Sequence, residues 1–215
     1  MTHRWKIAQY FELRWWQSYL RGKDKVTYLT WKKNYWQTLL NKIAANVKID
    51  SSKSIIDLGC GPAGIFIALP ENKITAVDPL LNGYESGTNF FKRSDYPKVN
   101  FVTSTIEDFE SRGLKYDLVF CMNAINHVHD IEKGFGKLKT VCAENGSIII
   151  SIDAHNFSFF KYLFRSIPGD ILHPHQYDLN EYQNFLQKDG WKTSGALLLK
   201  HEFLFDHYVL VANHK

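Results

Sequence analysis

Between Ser54 and Gly64 the chain reads SIIDLGCGPAG, with glycines at 59, 61 and 64 in G-x-G-x-x-G spacing. Glycines placed this way after a strand let a ligand approach the backbone, as in a nucleotide-phosphate turn. Asp57 precedes the first glycine by two residues. A pyrophosphate at the start of the following helix is repelled by such a carboxylate, whereas an ammonium or sulfonium is attracted. Asp78 closes ITAVD, where a carboxylate can accept two hydrogen bonds from ribose hydroxyls. Capping a helix is its bland alternative. The two aspartates favour a nucleoside cofactor carrying positive charge, with a nicotinamide dinucleotide as the runner-up on the glycines alone.

Four histidines stand where a proton could be moved. His127, just past YDLVFCM, is the best placed as general base, with a pocket wall as its alternative role. His155 follows the next strand, and His173 and His175 lie in ILHPHQYD. These three and Trp31 are candidates to meet a substrate. No metal site is expected, because H-P-H has no companion cluster of ligands. Glu12 falls within an aromatic stripe (Trp5, Ala8, Trp15, Trp16, Tyr19), where a carboxylate could face a pocket, but an exposed helix position is the favoured expectation.

The elements that must hold these groups follow from periodicity. Helical spacing predicts helices over 3–20 and 28–47, separated by a turn at RGKDK. The rhythm then becomes strand-like at SIIDL, ITAVD (74–78), KVNFVT (98–103), YDLVFCM (116–122) and GSIIISID (146–153). Helical stretches fall between them: a short one after the glycine turn, ended by Pro70, and one over 130–144. Alternation of this kind means parallel strands with right-handed crossovers. Asp178 and Glu181 have capping-box spacing and open a helix ending near Gly190. ALLLKHEF (196–203) and HYVLVA (207–212) are too close together for a crossover, so they form a hairpin and one strand runs antiparallel. The expected class is α/β: a doubly wound, mainly parallel seven-stranded sheet with an antiparallel C-terminal hairpin strand, plus N-terminal helices. Residues 1–49 are expected to cap residues 50–215 as effectively one domain. The aromatic connection 154–177 is expected to be a lid over the crevice.

Charge is uneven. The first 34 residues hold eight Lys/Arg against two acids, so they carry +6 and the remainder −2. Five of the six tryptophans lie in the first 36 residues. Such a segment could meet a phosphate, RNA or a membrane surface. No apolar run is long enough to span a bilayer. The spread of charge through the first residues gives no signal-peptide layout. Cys60, Cys121 and Cys142 have no C-x-x-C spacing and read as reduced, buried thiols, which places the chain in the cytoplasm.

D-L-G-C-G-P-A-G, V-D-P-L, S-T-I-E-D-F (104–109) and Y-D-L-V-F-C-M-N-A-I-N-H-V-H-D (116–130) occur in this order, followed by the hairpin. In this they resemble class I (Rossmann-like) S-adenosylmethionine-dependent methyltransferases of the small-molecule type, over roughly residues 50–212. The resemblance implies that Asp57 and the turn Gly59-Cys60-Gly61 line the methionine end of the cofactor. It implies that Asp78 holds the ribose, with Pro79 and Leu80 near the adenine face. The backbone of Ile106 and Glu107 would meet the adenine edge, and Thr105 stands where many relatives carry Asp. Met122 and Asn123 fall where the family contacts the amino-acid part, and Asp117 packs or caps.

The implied reaction is in-line transfer of a methyl group from S-adenosylmethionine to O, N, S or C of a small-molecule acceptor, leaving S-adenosylhomocysteine. The absence of an N/D-P-P-[YF] motif and of a separate nucleic-acid domain disfavours nucleic acid. Two alternatives stay open: an RNA or protein methyltransferase docking through the basic N-terminus, and a non-catalytic cofactor-binding protein. Contact with a membrane surface or lipid-like substrate through that aromatic, basic segment is a further expectation.

Overall fold

The computed structural model describes residues 3–156, 175 and 177–214, with side chains from residue 7 onward. His173 and most of the aromatic connection expected to act as a lid lie outside the described residues. The strands are β1 (Ser54–Leu58), β2 (Lys73–Val77), β3 (Val99–Val102), β4 (Tyr116–Met122), β5 (Cys142–His155), β6 (Trp191–His201) and β7 (Phe205–His214). They form one seven-stranded sheet in the order β3-β2-β1-β4-β5-β7-β6. β1 to β5 pair in parallel, and β7 inserts antiparallel between β5 and β6. This is the topology expected from the alternation and the closing hairpin.

Period-two alternation sends neighbouring side chains to opposite faces of the sheet, each buried under helices. On one face Ile56, Leu58, Val119, Ile148 and Ile150 pack against α4 (Ile131–Val141) and α5 (Leu179–Gln187). On the other, Ile55, Leu118, Phe120 and Ile149 pack against α2 (Lys25–Ile43) and α3 (Leu81–Gly87). Burial on both faces explains why the central strands read as nearly continuous apolar runs.

Caps set the helix starts. Asp24 accepts the Thr27 N–H at 2.8 Å, so α2 begins at Lys25 rather than at Tyr28. Asp178 and Glu181 exchange the two bonds of a capping box, both at 3.0 Å. The short α-helix expected after the glycine turn is replaced by two single 3₁₀ turns, Gly61–Ala63 and Ile65–Ile67, broken by extended backbone at Gly64. β5 begins at Cys142, directly where α4 ends, instead of at Gly146. α1 (His3–Leu20) lies against α3. Cβ atoms at Gly83 and Gly87 would stand 2.7 Å from Leu13 and 2.3 Å from Gln17, so these glycines allow the helices to meet. No described helix is long and apolar enough to cross a membrane.

Candidate active site

A cleft of about 590 Å³ opens over the C-terminal ends of the strands. That is where open α/β sheets bind ligands, and the volume suits a small molecule. Its floor holds Gly59, Cys60, Gly61, Asp78, Pro79, Thr105, Ile106, Glu107, Met122, Asn123 and His127. α1 and α2 roof it with Trp15, Trp16, Tyr19, Tyr28, Trp31, Tyr35 and Trp36. The sequence motifs thus converge on one cleft.

The glycine turn is built by close approach. Gly59 has φ +75, and a Cβ there would lie 2.3 Å from that of Ala124. Gly64 is pressed from behind: its Cβ would be 2.2 Å from Asp57 Oδ2 and 2.6 Å from the Cys60 carbonyl. Asp57 therefore braces the turn from beneath. Its Oδ2 accepts the Ile65 N–H at 2.9 Å, and the side chain is 1 % exposed. The expectation that Asp57 itself lines the cleft is corrected. It shares the strand face of Ile55, which points it under the turn. Its Oδ1 is buried without a hydrogen-bond partner among the described residues.

Asp78 ties the turn to β2. Its Oδ2 accepts the Gly61 N–H at 2.9 Å and its Oδ1 the Leu80 N–H at 2.8 Å. Each oxygen retains acceptor capacity toward the cleft. Leu80 does not reach the cleft, although Pro79 does. Glu107 turns its carboxylate away, accepting the His129 N–H at 2.6 Å and the Asp130 N–H at 3.2 Å. Thr105 Oγ1 accepts the Asp108 N–H at 3.1 Å. Asn123 adopts φ +53, a left-handed conformation that asparagine tolerates better than most residues, at the edge of the cleft.

The other histidine expectations divide. His155 is buried against Phe205, ring centroids 4.5 Å apart, and does not line the cleft. His175 is also outside it: its Nε2 lies 2.9 Å from the Val128 carbonyl oxygen, and its ring stacks on Tyr177. Burial lowers its pKa from 6.5. Both are packing residues, which corrects their expected place at the substrate. Trp31 does face the cleft.

Three ionisable residues of the cleft wall carry no sequence signal, Lys32, Asp153 and His207, and Glu12 joins them there. The exposed position expected for Glu12 is overturned, because its helix lies across the cleft. Burial, then the charge of Asp78, pushes the Glu12 carboxyl up to about 7. Burial likewise raises Asp57 to about 7 and Asp78 to about 6. None of the three forms a salt bridge among the described residues. Lys32 stands over the turn with its Nζ 4.3 Å from the Trp36 ring centre and 4.8 Å from that of Tyr35. Trp36 in turn donates its indole N–H to the Ala63 carbonyl at 2.9 Å. Burial lowers the Lys32 pKa to about 8, with the charge of Asp57 pulling the other way. Ammonium over aromatic faces is a favourable arrangement.

The methyltransferase domain family matches residues 28–193 of the chain. The chain is similar to the ubiquinone biosynthesis O-methyltransferase of Rickettsia prowazekii, 32% identical over 136 residues, 62% of this chain and 52% of that protein. It is likewise similar to that of Rickettsia typhi, 31% identical over 152 residues, 69% of this chain and 60% of the relative. The chain spans about half the length of the curated relatives it matches. Its fold is similar to the magnesium protoporphyrin IX methyltransferase of Synechocystis PCC 6803, crystallised with S-adenosylhomocysteine. There the TM-score is 0.65 at 16% identity, covering 94% of this chain and 93% of that one. A Burkholderia thailandensis 1,6-didemethyltoxoflavin-N1-methyltransferase gives a TM-score of 0.62 at 13% identity, covering 100% and 92%.

Proposed function

This chain belongs to the methyltransferase domain family, and on that premise we propose that it transfers a methyl group from S-adenosylmethionine to a small planar acceptor. The observation that carries the choice of cofactor is the gathering of Asp57, Asp78 and Glu12 at one glycine turn with no salt-bridged cation among the described residues. Such a cluster repels a pyrophosphate and welcomes a sulfonium and an ammonium. The similarity to rickettsial O-methyltransferases supports an oxygen nucleophile. The aromatic roof supports a flat acceptor.

When bound, the cofactor supplies a methyl group on a sulfonium whose departure as a neutral thioether drives the displacement. Asp78 would accept hydrogen bonds from the ribose hydroxyls. The backbone of Thr105 to Glu107 would border the adenine, and Met122 and Asn123 would border the amino-acid end. Lys32, above the turn, would meet the carboxylate of that end and so offset the negative cluster. Trp15, Trp16, Trp31 and Trp36 exclude water, so that the reacting atoms are aligned in a dry site. His127 lines the wall past β4.

Thermal unfolding with each cofactor tests the choice. At a hundredfold excess over its dissociation constant, S-adenosylmethionine stabilises by about 2.7 kcal/mol. The reading predicts that shift for S-adenosylmethionine and S-adenosylhomocysteine and none for NAD. A shift with NAD alone refutes it.

A further inference from the structure

The sheet order separates the cleft into two ends. Gly59, Asp78 and Thr105, after β1, β2 and β3, take the cofactor end, and β5 and β7 border the opposite end. At that opposite end Asp153 and His207 are directly opposed residues of β5 and β7. Their side chains meet between Asp153 Oδ1 and His207 Nδ1. Glu202 Oε1 lies 3.6 Å from the other ring nitrogen, Nε2, and Glu202 is itself paired with Lys200. His207 thus sits between two carboxylates, an arrangement that holds its ring in one orientation. Asp153 and His207 both face the cleft, and no donor among the described residues reaches Asp153 Oδ2. Tyr35 and Leu199 are their neighbours in the cleft wall. Burial, then the charge of Asp153, raises the Tyr35 phenol, which places that ring within electrostatic reach.

We propose that Asp153 is the proton-accepting catalytic residue of the acceptor end, held in place by His207, and that the acceptor is therefore an aromatic hydroxyl. The inference rests on the methyltransferase reading. The acceptor's O–H donates to Asp153 Oδ2. Its oxygen forms a bond to the methyl carbon, the carbon–sulfur bond breaks with its electron pair going to sulfur, and the hydroxyl proton passes to Asp153 and then to solvent. His207 is a positioning residue, fixing the carboxylate through Nδ1 so that Oδ2 points into the cleft. The aromatic roof, with Trp31 and Tyr35, supplies the flat surface for the ring.

Catechol and 1,2-difluorobenzene, similar in shape but with and without O–H, are the probes, read by quenching of tryptophan emission. The protein is first saturated with S-adenosylhomocysteine. Wild type is expected to bind catechol about tenfold more tightly than difluorobenzene, the size of one hydrogen bond to a charged acceptor. Asp153→Ala removes that preference and leaves difluorobenzene and S-adenosylhomocysteine binding unchanged. In Asp153→Asn the one amide oxygen stays with His207 Nδ1–H and an N–H donor replaces Oδ2, so methyl transfer to catechol slows about a hundredfold while S-adenosylhomocysteine binding is unchanged. His207→Leu weakens catechol binding, and His207→Asn, whose amide N–H can replace Nδ1–H, restores it. A wild type that does not discriminate between the probes overturns the proposal, as does an Asp153→Ala that discriminates as wild type does. Failure of S-adenosylhomocysteine to bind in the calorimeter overturns instead the methyltransferase reading on which the proposal rests.

Discussion

Asp57→Asn isolates the electrostatic cost built into the glycine turn. In the folded chain burial raises the Asp57 carboxyl from 3.8 to about 7. In the unfolded chain it titrates near 3.9. Between these values the folded state holds a proton that the unfolded state has lost. Stability contributed by this group is therefore full below about pH 4, falls as pH rises, and is gone above about 7. From pH 5 to pH 8 the loss is about 3 kcal/mol, two pH units at about 1.4 kcal/mol each. Asparagine preserves an oxygen for the Ile65 N–H, a bond of 2.9 Å in the native chain. It places an amide N–H where Oδ1 was, without a partner, at a pH-independent cost of about 1–3 kcal/mol. Urea unfolding at pH 5 and pH 8 reads the difference. Wild type should lose about 3 kcal/mol more than the variant across that interval. Equal losses in the two proteins refute the argument, because Asp57 would then titrate as an ordinary carboxyl.

Affinity for S-adenosylmethionine should rise with pH through about 6 to 7, as Asp78, Asp57 and Glu12 ionise. It should fall above about 8, as Lys32 loses its proton; calorimetry across this range that shows a flat profile contradicts the assignment of these groups. Gly64→Ala should abolish stable folding, because its Cβ meets Asp57 Oδ2 at 2.2 Å and the Cys60 carbonyl at 2.6 Å. Gly61→Ala, whose Cβ approaches only Trp16 at 3.7 Å, should fold with a cost of about 1–2 kcal/mol from its positive φ; circular dichroism melts compare the two. Cys60, Cys121 and Cys142 are free and buried, and burial pushes all three thiols up, Cys142 to about 12. Ellman's reagent at pH 8 should titrate none of them until denaturant is added, and prompt reaction of any one contradicts its placement.

The sheet was legible because its central strands are apolar on both faces and because the last two runs leave no room for a crossover. The glycine turn, Asp78 and the segment Met122–Asn123 were legible as local patterns, and all reach one cleft. What escaped depends on distant segments meeting. Asp57 belongs to a motif, yet only the burial of its strand face shows that it supports the turn from below. Glu12 looked solvent-facing because one helix does not reveal what it covers; close packing at Gly83 and Gly87 lays α1 across the cleft. Asp153 and His207 belong to no motif, and only the antiparallel register of β5 and β7 sets them opposite each other. Two of the N-terminal cations have places that the charge count alone does not show. Lys25 pairs with Asp95 at 3.0 Å, and Lys32 turns into the cleft.

Calorimetric titration of S-adenosylhomocysteine into wild type and Asp78→Ala tests the central claim most directly, since Asp78 both anchors the turn and faces the cleft. One site per chain is expected in wild type, with affinity at least about tenfold weaker in the variant, the loss expected for hydrogen bonds to a charged group. Equal affinity in the two proteins, or no binding to wild type, contradicts it.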